Sequence, residues 1–472
     1  MGYLNEFPHV KTWDSDLREI LEMFVAVKEL PKSFEELRQF VEENGEELGE
    51  EFTALKTFVE TYFDNLDVQD EIKAKLEDMY EKGWLEIKSY VTPQMFGAKA
   101  DANYYDVATR TWWKDSSKTA KPTDDGIAIQ KAIDYAINNN IHTIFFSDGN
   151  YYCPNRSFNI DTSKLRFVGE NTSKLISVGL TYGAFITLTS PLDLKMYDYA
   201  RVPLENICIE GVYNDDSANT GVTGVVFGEI GNAGATMVSP HMATYNLTIK
   251  NFHIGLWLAS AYKSSMYNPN IIACNYGIYV TEGGVVPWNC YCPHIECCYF
   301  AFYSTASGYA EVNIFGGAFE YNRFQYSGTN KTKFIGTRFE FDLLSACNSS
   351  LSPYYPFYVT GDGSPYLKLI HCSILSLSNF TGNVGNWIPN PYVLNEPTST
   401  SVICAYSNSF TGKAQIYIEG CEIATDGDSQ YPDGNYYVSG GKIFAQNNQY
   451  YGNCGGIFNP DNLVTETNGL LV

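Results

Sequence analysis

The feature that most limits how this chain can fold is a short pattern that returns at nearly constant spacing. An apolar residue is followed by two variable ones, a small or apolar one, another variable one and a second apolar one. It reads "IEGVY" from Ile209, "IKNFHI" from Ile249, "IACNY" from Ile272, "IECCYF" from Ile295 and "IFGGAF" from Ile314. It continues as "FIGTRF" from Phe334, "LIHCSI" from Leu369 and "IEGCEI" from Ile418. With Ile271 as the better anchor of the third copy, Ile249, Ile271, Ile295, Ile314 and Phe334 follow at steps of 22, 24, 19 and 20 residues. That is the arithmetic of a solenoid, in which one coil cannot bury its own apolar face but stacked coils share a continuous core. The segments are short, rich in β-branched and aromatic residues, and separated by Asn and Gly, as strands and tight turns require. No stretch between Asn206 and Gly455 reads as helix.

Parallel coils stack at about 4.8 Å, so like positions form ladders. Counting each anchor as the first position, the fourth holds Phe252, Cys274, Cys298, Gly317 and Thr337, with Cys372 and Cys421 in later coils. Small, soft side chains suit a tight inward corner, which accounts for many of the 12 cysteines as core thiols. Cys274 and Cys298, in adjacent coils, are close enough in principle to pair if oxidised. The cluster Cys290, Cys292, His294, Cys297 and Cys298 lacks the spacing of a structural zinc site, and neither metal nor cofactor is expected.

Residues 1–90 differ in kind. They carry 23 acids against 10 Lys and Arg and read as helix nearly throughout. Leu17, Ile20, Leu21, Phe24 and Leu30 share one face, and Ser33 with Glu36 forms a capping box. Phe52, Leu55, Val59, Tyr62 and Leu66 form a heptad seam too short to be stable alone, so it packs within this region or on partner chains. The formal charge of −23 argues against nucleic acid as a partner and against a basic membrane-surface patch. No secretion signal is visible and no window is apolar enough to span a membrane, so membrane insertion is not expected.

The junction between the two regions carries a signature. In "VTPQMFGAKADANYYD", Phe96, Gly97, Ala98, Lys99, Ala100 and Asp101 precede Thr123, Asp124, Asp125, Ile129, Gln130 and Ala132, and Gly149, Tyr151 and Gly169 follow. This resembles the N-terminal end of right-handed parallel β-helix proteins of the pectate-lyase-like superfamily, in the form common in bacteriophage tailspikes. Ala102 and Ser147 depart from the usual Gly and Pro. Residues 1–90 resemble the N-terminal adaptors of tail and neck appendages from phages of Gram-positive hosts. The resemblance implies a helical virion-attachment region at 1–90 and a β-helix start at 91–200 with a capping helix over 124–139. Coils with protruding loops then follow over 201–472. It also implies a homotrimer in the virion, assembled in the host cytoplasm, that contacts other tail, neck or baseplate proteins through residues 1–90 and a host cell-surface glycan through the coils. Thr123 or Asp124 is expected to cap the helix, with Ile129, Ile133 and Ala136 covering the open end of the stack.

The family includes polysaccharide depolymerases and members that only bind. Hydrolysis needs two carboxylates about 5–9.5 Å apart, which adjacent coils can supply. Glu320 and Glu340 each follow an inward Phe at one register, and Asp342 lies two residues further on the same face, so these three are the candidate catalytic residues. Glu296, Glu311 and Asp362 read as ordinary surface groups, His294 as a turn residue and His371 as part of a strand. Trp257, Trp288, Trp387, Tyr321 and Tyr326 are candidate sugar platforms.

Overall fold

The computed structural model describes residues 90–170, 172–191, 201–212, 221–228, 237–238, 242–261, 263–281, 285, 287–306, 310–322, 324–342, 357–360, 365–377, 403–406, 415–425, 436–439, 442–451, 464–467 and 470–471. All belong to one compact unit, Tyr90–Val472. The helices and heptad seam expected over residues 1–89, and Trp387 and Asp362, lie outside the described residues.

Among the described residues, three long sheets make up most of this unit. Sheet 1 has 13 strands, from Tyr90–Val91 to Val464–Thr467, and sheet 2 has 12, from Asn150–Pro154 to Leu470–Leu471. Sheet 3 has 11, among them Gly183–Pro191, Ile254–Leu258 and Phe300–Ser304. The chain visits the sheets in rotation: Ser265–Tyr267 lies in sheet 1, Asn270–Ile272 in sheet 2 and Tyr276–Val280 in sheet 3, and the next circuit pairs in parallel on all three. The architecture is therefore a parallel β-helix. Only Met237–Val238 pairs antiparallel within these three sheets, against Gly183–Pro191, among the described residues.

Alternation fills the interior. Every second side chain points inward, and Phe319, Phe334, Phe339 and Phe357 meet there at ring-centroid distances of 4.8–5.4 Å, mostly edge to face. From Glu205 onward the turn from sheet 1 to sheet 2 is two residues long, and its first residue has positive φ: Asn206, Asn246, Asn268, Cys292, Gly316, Gly336, His371, Gly420 and Asn447. One left-handed residue turns the chain tightly, and Asn and Gly tolerate that conformation best. Asn251, Ala273, Cys297 and Tyr321 do the same after sheet 2.

The register corrects the simple ladder expected from the repeats. Ile249, Ile271 and Ile295 pair in sheet 2 and continue to Phe319 and Phe339. Ile314 and Phe334 instead pair in sheet 1, in line with Cys290 above and Leu369 below. The step of 19 residues joins two different sheets, because the apolar-x-x-small pattern occurs at both corners. The corner ladder is likewise two ladders. Phe252, Cys274, Cys298 and Asn322 follow sheet 2, whereas Gly317, Thr337, Cys372, Cys421 and Asn448 follow sheet 1. Each of the two buried asparagines clamps the preceding coil. Asn322 Oδ1 accepts from the Cys298 amide at 2.9 Å while its Nδ2 donates to the Ile295 carbonyl at 2.8 Å. Asn448 repeats this on Cys421 and Ile418 at 2.9 and 3.2 Å.

The N-terminal end of the stack is covered by α1 (Gly126–Asn138), whose buried stripe is Ala128, Ile129, Ala132, Ile133 and Ala136. Its cap differs from expectation. Asp125 occupies the N-cap but makes no side-chain bond to the helix. Its buried carboxylate accepts instead from the amides of Lys99 at 2.6 Å, Ala100 at 3.0 Å and Tyr152 at 3.2 Å. Thr123 caps nothing, because its amide and hydroxyl both donate to Asp101. Asp124 accepts from the Gly126 amide at 3.0 Å and faces Arg156.

Asp101 also meets Lys114 Nζ at 2.8 Å, which ties the hairpin Tyr104–Asp106/Thr111–Trp113 to this junction. Burial alone would raise the Asp101 carboxyl, but Lys114 and the two Thr123 donors outweigh it and hold it below its ordinary value. A lowered carboxyl contributes stability above the unfolded value, about 3.9, that is lost as pH falls through the folded one. Pepsin is therefore expected to cut within residues 101–123 only once the pH drops below about 4. In Asp101→Asn that onset should disappear, with cleavage already seen at higher pH.

Candidate functional site

On sheet 2 the inward column Ile271, Ile295, Phe319, Phe339 is followed, one residue on, by an outward column. It runs Glu210, Lys250, Ile272, Glu296, Glu320, Glu340 and Leu375 in continuous register. Three glutamates thus occupy consecutive coils, about 4.8 Å apart at the backbone. The outward residues on the other side of the inward column form a second row of Asn270, His294, Ala318 and Arg338.

The two rows are interlocked. His294 Nε2 lies 3.4 Å from Glu320 Oε2 and 3.8 Å from Glu296 Oε2. Arg338 Nη2 contacts Glu340 Oε2, and Tyr321 Oη donates to Glu340 Oε1 at 3.1 Å. Glu340 is 8 % exposed, whereas the side chains of Glu296 and Glu320 keep 23 % and 24 % of their surface. Burial, then the charge of Glu340 and the hydrogen bond to it, then Glu320 and Glu296, push the Tyr321 hydroxyl up to about 12. At neutral pH Tyr321 is therefore a proton donor, not a base.

Glu320 and Glu340 stand at one register, one coil apart, a backbone spacing close to the 5–5.5 Å carboxyl separation of retaining glycosidases. Asp342 closes the strand Arg338–Asp342 and pairs with Leu377; its side chain lies outside the described residues. From the sequence alone Glu296 reads as an ordinary surface group and His294 as a turn residue, so neither is placed in this site. The signal was there: Ile295-Glu296, Phe319-Glu320 and Phe339-Glu340 are the same inward-apolar, outward-acid pair. His294 sits in the strand His294–Glu296 and not in a turn, while His371 is the left-handed corner residue and not part of a strand.

Two of the aromatic platforms are overturned. Trp288 and Tyr326 are fully buried in the core. Trp257 belongs to an outward panel on sheet 3 with Tyr279 and Tyr303, beside Tyr276, Phe300 and Phe324. On sheet 1, Tyr245, Tyr267, Tyr291 and Phe315 stack at 4.7–4.9 Å with interplanar angles of 7–11°. Rings stacked this way spend their faces on one another and offer a ligand mainly edges and hydroxyls. Cys290 and Cys298 point inward while Cys292 and Cys297 turn corners. Among the described residues no three His, Cys, Asp or Glu converge as a metal site. No helix among them is long and apolar enough to cross a membrane.

The fold and this face define a parallel β-helix bearing an acidic ladder flanked by histidine, arginine and tyrosine. No family model and no curated protein matches the chain. Among solved structures it is similar to ORF18 of Geobacillus virus E2, at TM-score 0.44 and 16 % identity over 84 % of this chain and 63 % of that one. It is also similar to tailspike protein 2 of Escherichia coli O157:H7 bacteriophage CAB120, at 0.40 and 12 % over 76 % and 42 %. A third is the A-module of mannuronan C-5 epimerase AlgE4 from Azotobacter vinelandii, at 0.38 and 12 % over 81 % and 97 %. The chain thus spans less than two thirds of the length of the first two.

Proposed function

We propose that this chain is a bacteriophage tail spike or appendage that recognises host cell-surface polysaccharide along the outer face of sheet 2. The observation that carries the reading is the in-register column Glu296, Glu320 and Glu340 with His294, Arg338 and Tyr321 beside it. Carboxylates, a phenol, an imidazole and a guanidinium spaced by the coil repeat offer a polyhydroxylated chain donors and acceptors at successive sugar units. The junction signature around Phe96–Asp101 and Thr123–Asp125 supports placement among tailspike β-helices. In this reading residues 1–90 attach a homotrimer to other virion proteins.

A hydrolytic version is favoured by one further observation, the one-coil stacking of Glu320 on Glu340. Glu320 is the more exposed and would protonate the leaving oxygen. Glu340, fixed by Arg338 and Tyr321, would serve as the anionic partner, with Asp342 two residues further along the strand. The test is incubation of the full chain with a panel of bacterial capsule and wall polysaccharides, reading retention by affinity electrophoresis and new reducing ends. Retention without new ends would leave a binding spike. Neither, on any polymer, would overturn the proposal. If ends appear, Glu320→Gln and Glu340→Gln should each lower their rate by about 10²–10⁴-fold with retention largely kept.

A further inference from the structure

Four cysteines stand apart from the rest of the core. Cys372 and Cys421 occupy the same corner one coil apart, flanked by the pairs Ile370↔Glu419 and Ser373↔Glu422. Cys274 and Cys298 do the same at the other corner, flanked by Ile272↔Glu296 and Tyr276↔Phe300. Among the described residues the other inward cysteines have no such neighbour: Cys290 stacks between Met266 and Ile314, and Cys153 pairs with Ser177. All four thiols are free and buried. Cys421 Sγ accepts from the Cys372 amide at 3.4 Å, which leans it toward the preceding coil. Cys298 Sγ likewise reaches back to the Ile271 carbonyl of the preceding coil, at 3.9 Å.

We propose that Cys372–Cys421 and Cys274–Cys298 are inter-coil disulfide sites, left reduced by folding and closed when the assembled chain meets an oxidising solution. A one-coil step of about 4.8 Å falls inside the Cα separation of about 4.4–6.8 Å that a disulfide spans. With a small disulfide such as oxidised glutathione as oxidant, one thiolate attacks the reagent and releases one reagent thiol. The partner cysteine then displaces the second. Two protons and two electrons leave the pair, and the reagent's S–S bond becomes two thiols. Burial keeps both pairs from reacting until the coils breathe, so closure is slow and confined to stacked partners.

The consequence differs between the pairs. A solenoid unravels from its ends, and the Cys372–Cys421 bond would close the longer loop, near the C-terminal coils. It should therefore stabilise more than its counterpart.

The experiment treats the full chain with oxidised glutathione, alkylates the remaining thiols under denaturing conditions and maps the linked peptides without reductant. The expected result is loss of four of the 12 thiols, links 372–421 and 274–298 only, reversal by dithiothreitol, and proteolysis of the C-terminal coils slowed roughly 10-fold or more. Cys421→Ser should lose the first link and most of the protection while keeping the second. Cys298→Ala, an independent variant should the first fail to fold, should show the reverse. Twelve thiols still alkylated, links made instead to the corner residues Cys292 or Cys297, or linked chains no more resistant than reduced ones would each overturn the proposal.

Discussion

Replacing Asp125 with alanine is expected to cost about 3–5 kcal/mol and to open the N-terminal end of the coil stack before the remainder unfolds. The carboxylate is fully buried and is the shared acceptor for three amides from two separate segments, Lys99 and Ala100 on one side and Tyr152 on the other. Alanine leaves those amides facing a small dry gap with no partner. Asp124→Ala makes the contrast, since its carboxylate is partly exposed and its ion pair with Arg156 is long, at 3.4 Å; about 1 kcal/mol or less is expected there. Urea unfolding, with amide exchange read at Lys99, Ala100 and Tyr152, separates the two. There is also a pH signature. Burial raises the Asp125 carboxyl, the three amides pull it back without cancelling that, and the charge of Asp101 adds to the rise. A raised carboxyl contributes most below its unfolded value and loses part of that as pH climbs through the folded one. The gap between wild type and Asp125→Ala should therefore be widest on the acid side and narrow toward neutrality. A gap that widens with pH would mean that the amides outweigh burial.

The second large effect is expected at Gly317. Its φ is +77°, and a Cβ there would meet Pro293 O at 2.2 Å and Pro293 N and Cδ at 2.6 Å. None of these atoms is the loose end of a flexible side chain. Gly317→Ala should combine a left-handed penalty of about 1–2 kcal/mol with overpacking of about 1–3 kcal/mol, and much of the protein should fail to reach the soluble, folded state. Gly336→Ala separates the two contributions. Its φ of +67° is nearly the same, but nothing lies within 4 Å of the added carbon, so only the conformational penalty should appear. Comparable thermal shifts in the two variants would show that the coil at Pro293 gives way more easily than its packing indicates.

Much of this was legible in the sequence, and the failures share a cause. The solenoid period, the strands that fill the described residues beyond Asn206, the capping helix and the register of Glu320 with Glu340 all follow from alternation and punctuation, which are local. What was lost is information about which of three sheets a strand joins. Ile295 and Ile314 look equivalent because both precede a tight corner, yet one belongs to sheet 2 and the other to sheet 1. That confusion folded two cysteine ladders into one. Glu296 reads as an ordinary surface group for the same reason: with Ile314 and not Phe319 as the anchor after Ile295, the third glutamate falls out of line. Trp288 and Tyr326 were misjudged for a different reason: large aromatic side chains serve cores and surfaces equally well, and only the pleat decides.

The corner between sheets 1 and 2 has a consequence for how such a molecule can change. It keeps two residues from Glu205 onward, whereas 14 residues separate Asp342 from Phe357 and 25 separate Leu377 from Ile403, both on the way from sheet 2 to sheet 3. The connections from sheet 3 back to sheet 1 vary as well, from two residues after Gly328 to eight after Tyr406, so the corner between sheets 1 and 2 is the one that keeps its length and acts as a hinge line. Foreign segments grafted after Asp342 or Leu377 should leave the stacking of neighbouring coils untouched, and a single residue inserted at Gly336 or Asn447 should throw every later strand out of phase. The molecule is in effect a ruler along one edge and a display rack along another.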